Sequence, residues 1–233
     1  LYNYATQEKT APGSTFKMVT STAGLAENVI TTGTTINCTG VFHDVSNEPK
    51  CWIYPGSHGA ETVSGAIRDS CNVFFYTTGF NLAAKDTGTY DDANGIAYIQ
   101  KYASIYGLNQ KTGIEIEENT PEIATEFPVM AAIGQSDNNF TTVSLSRYVT
   151  AVASGKLYNY QLMSRIVDIN GNVIESYEPE YTDISDTLNA GQWDAIHSGM
   201  RMVVENLDSF EGFEIPVAGK TGTAQQIETR PNH

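Results

Sequence analysis

In the stretch Ala11-Pro12-Gly13-Ser14-Thr15-Phe16-Lys17-Met18-Val19, Pro12 and Gly13 break the chain and a helical pattern follows at once. Met18, Val19, Ala23, Leu25 and Ala26 share one side at helical spacing, which predicts a helix from about Ser14 to Asn28. Ser14 then sits at or near a helix N-terminus, where free backbone N–H groups point outward. Lys17 follows one turn later on the same face. A serine with a lysine one turn away is a candidate nucleophile and base, because a buried lysine can lose its charge and accept the hydroxyl proton. Alone, so short a pattern more often means a helix-capping serine beside a solvated lysine.

Two later stretches change that weighting. Ser70-Cys71-Asn72 lies at a break between two apolar segments, where a hydroxyl and an amide two residues apart can face one cleft. Its bland alternative is a helix N-cap. Lys220-Thr221-Gly222 lies among small residues, Ala218, Gly219, Gly222 and Ala224, within 215–225, which reads as a strand entered at Pro216. Small residues let a ligand approach the backbone, and a lysine beside a hydroxyl suits an anion such as a carboxylate. The bland alternative here is an edge strand with a solvated lysine.

In the order Ser-x-x-Lys, Ser-x-Asn, Lys-Thr-Gly, with these flanks, the chain resembles the transpeptidase domain of class B penicillin-binding proteins, the division or elongation type. The flanks are Pro12 to Lys17, His58-Gly59, Asp69 to Tyr76, Ile133-Gly134-Gln135 and Gly219 to Gln225, and the resemblance covers essentially the whole chain. It implies an α+β fold, a helical cluster against an antiparallel sheet. Residues 1–233 would be one transpeptidase domain, incomplete at both ends and lacking most sheet strands. The element order, helices first and a strand last, agrees with such a layout.

The resemblance further implies a serine D,D-transpeptidase that cross-links peptidoglycan stem peptides ending in D-Ala-D-Ala and is acylated by β-lactams. Ser14 is then the nucleophile and Lys17 its base. Ser70 relays a proton to the leaving amine, Asn72 holds the substrate amide, and Lys220 orients Ser70 and helps hold the terminal carboxylate. Thr221, Gly222 and Thr223 line the substrate, with backbone N–H groups of Ser14 and Thr223 as the oxyanion hole. No metal or organic cofactor is called for. The full-length protein would be anchored at the outer face of the bacterial cytoplasmic membrane with cell-wall synthesis partners. A D,D-carboxypeptidase, a serine β-lactamase and a non-catalytic β-lactam sensor domain share these motifs. The glutamate of a class A β-lactamase loop is replaced by Ser185 in Ser185-Asp186-Thr187-Leu188-Asn189.

Two repeats of the motifs are expected to be decoys. Ser136-Asp137-Asn138 follows Ile133-Gly134-Gln135 where the family usually has another glycine, and reads as a polar loop or cap before a helix at 142–153. Lys111-Thr112-Gly113 follows a helix-ending Gly107 and reads as a connecting loop.

The net charge of −14 argues against a nucleic-acid binder, which needs a basic face. No apolar run is long enough for a membrane span. Three cysteines are present: Cys38, Cys51 and Cys71. Cys38 and Cys51 flank a polar excursion that a disulfide could close, and His43 and His58 lie near in sequence. The spacing is not that of a usual zinc module, so free thiols rank first, a disulfide second and a metal last.

Further helices are predicted at 61–68, 72–84, 93–106, 142–153 and 187–206. A hairpin is predicted around Asn170-Gly171, and residues 1–13 read as an extended lead-in.

Overall fold

The computed structural model describes residues 1–224. In chain order its elements are α1 (Tyr4–Gln7), β1 (Lys9–Thr10), a 3-10 turn Gly13–Phe16, α2 (Lys17–Ala26), β2 (Ile36–Cys38), β3 (Gly59–Glu61), α3 (Val63–Arg68) and α4 (Asn72–Ala84). They continue with α5 (Asp92–Ile105), α6 (Pro128–Ala131), β4 (Phe140–Thr141), α7 (Thr142–Ser154), β5 (Lys156–Tyr158), β6 (Arg165–Val167), β7 (Val173–Ser176), β8 (Tyr181–Asp183) and α8 (Ala190–Glu205).

Helix α2 is the centre. Met18, Val19, Ala23 and Leu25 are buried, and so are Thr20, Ser21 and Thr22 on its other sides. Burying hydroxyls is tolerable only with partners. Ser21 and Thr22 donate to the carbonyls of Lys17 and Met18 four residues back, and Thr20 donates to Ala132 O at 2.7 Å. Around α2 pack α4 and α5, then α3 and α8, while Tyr148 of α7 bonds to the turn that leads into it. Close approach is bought by glycines: a Cβ on Gly199 of α8 would lie 2.8 Å from Ile67 Cβ on α3, and one on Gly79 of α4 2.8 Å from Ala132 Cβ.

The strands form four separate two-stranded antiparallel ribbons, β1–β4, β2–β3, β5–β8 and β6–β7. The predicted hairpin is β6–β7, with Asn170-Gly171 in its turn and Gly171 at φ 86°. Two expectations need correction. The lead-in carries a helical turn, α1, capped by Asn3 Oδ1 accepting from Ala5 N. The stretch 215–224 is not a strand among the described residues. It pairs with no other strand and is held instead by α8: Gly219 N donates to Met200 O at 3.0 Å, and Arg201 Nη1 to Val217 O at 2.9 Å. Gln225, the last residue of that expected strand, lies outside the described residues.

No helix among the described residues is long and apolar enough to cross a membrane.

Candidate active site

The turn that carries Ser14 is fastened from several sides. Gly13 N donates to Gly134 O at 3.0 Å, Thr15 Oγ1 to Pro12 O at 2.8 Å, and Tyr148 Oη to Thr15 O at 2.9 Å. The Phe16 ring stacks on Phe140 at 6.0 Å. Lys17 N donates to Ser14 O, closing the turn into α2. Gly13 has φ 54° and Gly134 φ 74°, both in the left-handed region where glycine is at ease.

Lys17 is fully buried. Its Nζ donates to Asn72 Oδ1 at 2.6 Å, to Ser70 O at 2.8 Å and to Ser70 Oγ at 3.1 Å, with the Phe75 ring centroid 5.3 Å away. Burial above all, and then the charge of Lys220, lower its pKa to about 7. An amine so tuned is part neutral at physiological pH, as a general base requires.

Ser70 takes φ 52°, a left-handed conformation uncommon for a residue with a Cβ. It joins α3 to α4, and Asn72 is the first residue of α4. The bland reading of Ser70 as an N-cap fails: the cap position of α4 is Cys71.

Ser14, Ser70, Asn72, Thr221 and Thr223 line one cavity of about 970 Å³, with Tyr76, Trp52, Ile133 and Gln135 on its walls. The segment 215–224 reaches it by lying against the Ser14 turn. A Cβ on Gly13 would lie 2.3 Å from Thr223 O, and one on Gly222 2.8 Å from Thr15 Cγ2.

Lys220 departs from the expected contact. Its Nζ donates to Thr221 O at 3.0 Å and Thr221 Oγ1 at 3.3 Å, while the Ser70 hydroxyl is engaged by Lys17. The backbone around Lys220 has no sheet partner to hold it across the cleft from Ser70. Burial lowers the Lys220 pKa to about 8.

The decoys sit elsewhere. Ser136 Oγ donates to Glu126 O at 2.8 Å, Asp137 accepts from Thr125, and Asn138 is buried and bonded to Ala124, Ala131 and Gln135. Ser136 adopts φ 65°, so serine takes the glycine-like shape at this point of the loop. Thr112 is buried against Glu118 Oε2, as expected of a connecting loop. Asn189 caps α8 in a reciprocal pair with Gln192, and Ser185 bonds to Asp183. Ser136, Asp137, Asn138, Thr112, Ser185 and Asn189 do not line the cavity.

One grouping was not legible from the spacing. Cys38, Cys51 and Cys71 are free thiols, all buried, so the expected second choice of a disulfide is not realised. With His58 they gather into one cluster, whereas His43 turns outward to Glu48.

Fold and cleft together are those of the penicillin-binding transpeptidase class. The family described as penicillin binding protein transpeptidase domain matches residues 1–233, and the chain belongs to it. The chain is 29% identical over 269 residues to the peptidoglycan D,D-transpeptidase MrdA of Haemophilus influenzae, covering 100% of this chain and 37% of that protein. It resembles a solved peptidoglycan synthase complex concerned with polymerization and crosslinking, at TM-score 0.82 and 26% identity, over 98% of this chain and 39% of that one. The complex between PBP2 and MreC from Helicobacter pylori shares the fold at TM-score 0.75 and 24% identity, over 97% of this chain and 42% of that one. The chain thus spans less than half the length of these relatives.

Proposed function

We propose that this chain carries the acyl-transfer centre of a serine D,D-transpeptidase that cross-links peptidoglycan stem peptides. The observation that supports it most is the buried Lys17 amine, bonded to Ser70 and Asn72 and one turn from Ser14 on the same cavity. Neutral Lys17 takes the Ser14 proton as Ser14 Oγ attacks the carbonyl of the penultimate D-alanine. Backbone N–H groups of Ser14 and Thr223 receive the oxyanion. Ser70 Oγ, hydrogen-bonded to Lys17, passes the proton to the leaving amine, and the last D-alanine departs. Asn72 holds the substrate amide. Lys220, Thr221 and Thr223 take the terminal carboxylate, and the small Gly222 leaves room for the peptide backbone. An amine from a second stem peptide then attacks the acyl-Ser14 ester and forms the cross-link, releasing Ser14. A β-lactam acylates the same oxygen. The full-length protein works at the outer face of the cytoplasmic membrane, with wall-synthesis partners of the MreC kind seen with the H. pylori relative.

The test is covalent labelling of the full-length protein with a fluorescent penicillin. The parent is expected to label and to hold the label for many minutes, and Ser14→Ala to abolish it. Labelling of Ser14→Ala equal to the parent overturns the assignment. Rapid nitrocefin turnover would identify a β-lactamase instead.

A further inference from the structure

We propose that Tyr148 is a positioning residue for acylation: its hydroxyl pins the turn that aligns Ser14 with Lys17. The inference rests on the acyl-transfer reading of that pair. Tyr148 lies in α7, is fully buried, and takes no part in the chemistry described above. Its Oη donates to Thr15 O at 2.9 Å, and the backbone N–H groups of Val19 and Met18 face the same oxygen.

The hydroxyl reaches the chain where the backbone changes its winding. Lys17 N donates to Ser14 O across three residues, and α2 begins at Lys17. Thr15 O stands between the tighter ladder and the α ladder. Lys17 itself has φ −60° and ψ −23°, values of a 3-10 residue. In a 3-10 turn, side chains three residues apart eclipse. In an α-turn they stand about 60° apart around the axis. The tighter winding therefore sets Ser14 and Lys17 along one line. Such a turn has poorer hydrogen bonds than an α-helix. Were α2 to extend one residue toward its N-terminus, Ser14 would rotate off the amine. An outside donor fixed on Thr15 O opposes that shift.

The donor is itself held rigidly. The Tyr148 ring packs edge-to-face on Tyr106 at 5.2 Å between centroids. Next to it in α7, Arg147 is buried and bonds to Tyr158 O, Lys111 O and Asn159 Oδ1, which fixes the rotation of that helix. Burial above all, and then the neighbouring Tyr106, hold the Tyr148 phenol well above its usual range, so it keeps the proton it donates. Among the described residues, Tyr148 is the one side chain from another element that bonds to the backbone of Gly13–Phe16. Tyr106 supplies a matched comparison. It is equally buried, but its hydroxyl bonds to Thr22 Oγ1 at 2.7 Å, farther along α2 and away from the turn.

The experiment uses the full-length protein with Tyr148→Phe and Tyr106→Phe, each losing one buried hydroxyl. Both should melt lower by similar amounts, because each leaves a buried partner unpaired. Stopped-flow acylation by a fluorescent penicillin separates prior binding from the acylation step. Tyr148→Phe should lower the acylation rate constant by about tenfold or more while the dissociation constant of the prior complex stays put, the mark of misplaced reacting groups. Tyr106→Phe should keep both constants. 4-Aminophenylalanine in place of Tyr148, which retains an N–H donor, should recover the rate constant. Amide hydrogen exchange, which needs no reaction, should quicken through residues 14–19 in Tyr148→Phe and not in Tyr106→Phe. An unchanged rate constant in Tyr148→Phe overturns the positioning role, as does an equal loss in Tyr106→Phe or no recovery with the aryl amine. Unchanged exchange in Tyr148→Phe overturns the pin itself. Quickened exchange in a protein that never labels keeps the pin and refutes the transpeptidase reading alone.

Discussion

Lys17 Nζ donates to Asn72 Oδ1 at 2.6 Å, so a single buried amine ties the first residue of α2 to the first residue of α4. The pair brings Ser-x-x-Lys and Ser-x-Asn, far apart in sequence, onto one cavity. Lys17→Ala is expected to slow penicillin acylation by roughly 10²–10⁴-fold, the usual worth of a general base. Lys17→Met, of similar length, should be as slow yet melt no lower than the parent, since removing a buried ionisable group offsets the lost hydrogen bonds. Acylation by Lys17→Met within a few-fold of the parent would show that the amine is not the base.

The pH dependence of acylation follows from two lysines. Lys17 is drawn down to about 7, first by burial and then by the charge of Lys220, and must be neutral to accept a proton. Protonation below about 7 should therefore slow the reaction. Lys220 is drawn down to about 8 by burial and must stay charged to hold a carboxylate, so binding should weaken above about 8. The second-order rate constant for acylation should be a bell between these limbs. Lys220→Ala should remove the alkaline limb and move the acid limb upward, because the charge that depresses Lys17 is gone. An acid limb left in place would mean that Lys220 does not act on Lys17.

Much of this architecture was legible because local chemistry and tertiary structure agree. The Pro12-Gly13 break starts the Ser14 turn, α4 spans the expected 72–84, and Asn-Gly turns the β6–β7 hairpin. What escaped depends on distant partners. The pattern at 215–225 has strand character, but a strand exists only through the hydrogen bonds of a neighbour, and residues 215–224 rest on α8. The cysteine–histidine cluster gathers side chains from four segments, and only the folded chain brings them together. Lys220 was expected to reach Ser70, and the side chain found a nearer acceptor on Thr221.

Gly13 controls how closely residues 215–224 approach the Ser14 turn. It combines φ 54° with Thr223 O at 2.3 Å from where a Cβ would sit. Gly13→Ala is expected to cost about 1–2 kcal/mol in backbone strain, read as a lower Tm, and to push Thr223 away. Labelling should fall further than the loss of folded protein accounts for. Gly33→Ala, where a Cβ meets open space, is the matched control. Equal behaviour of the two variants would remove the steric argument.

Ser136, where the resemblance leads to the expectation of a glycine, adopts φ 65°. Restoring glycine relieves about 1 kcal/mol of left-handed strain but forfeits the Ser136 Oγ bonds to Glu126 O and Asp137 Oδ1, worth about as much. Ser136→Gly should therefore leave both Tm and labelling near the parent. A large loss of labelling would make this serine part of the site.

The β6–β7 ribbon is exposed along both strands. Ile169 is 100% exposed, Ile174 67%, Val173 53%, Val167 48% and Ile166 38%. Apolar side chains thus line a two-stranded ribbon whose outer edges pair with no other strand among the described residues. Such an edge recruits further strands unless charge or proline blocks it. The 233-residue chain is therefore expected to self-associate as its concentration rises, with this hairpin as the contact. Ile169→Lys with Ile174→Lys places two like charges on the ribbon, which opposes edge-to-edge pairing. Because both side chains are exposed, the fold should lose no more than about 0.5 kcal/mol. Sedimentation velocity across a concentration series should show the parent growing and the double variant staying monomeric with an unchanged Tm. Equal association of the two would place the sticky surface elsewhere and leave the hairpin inert.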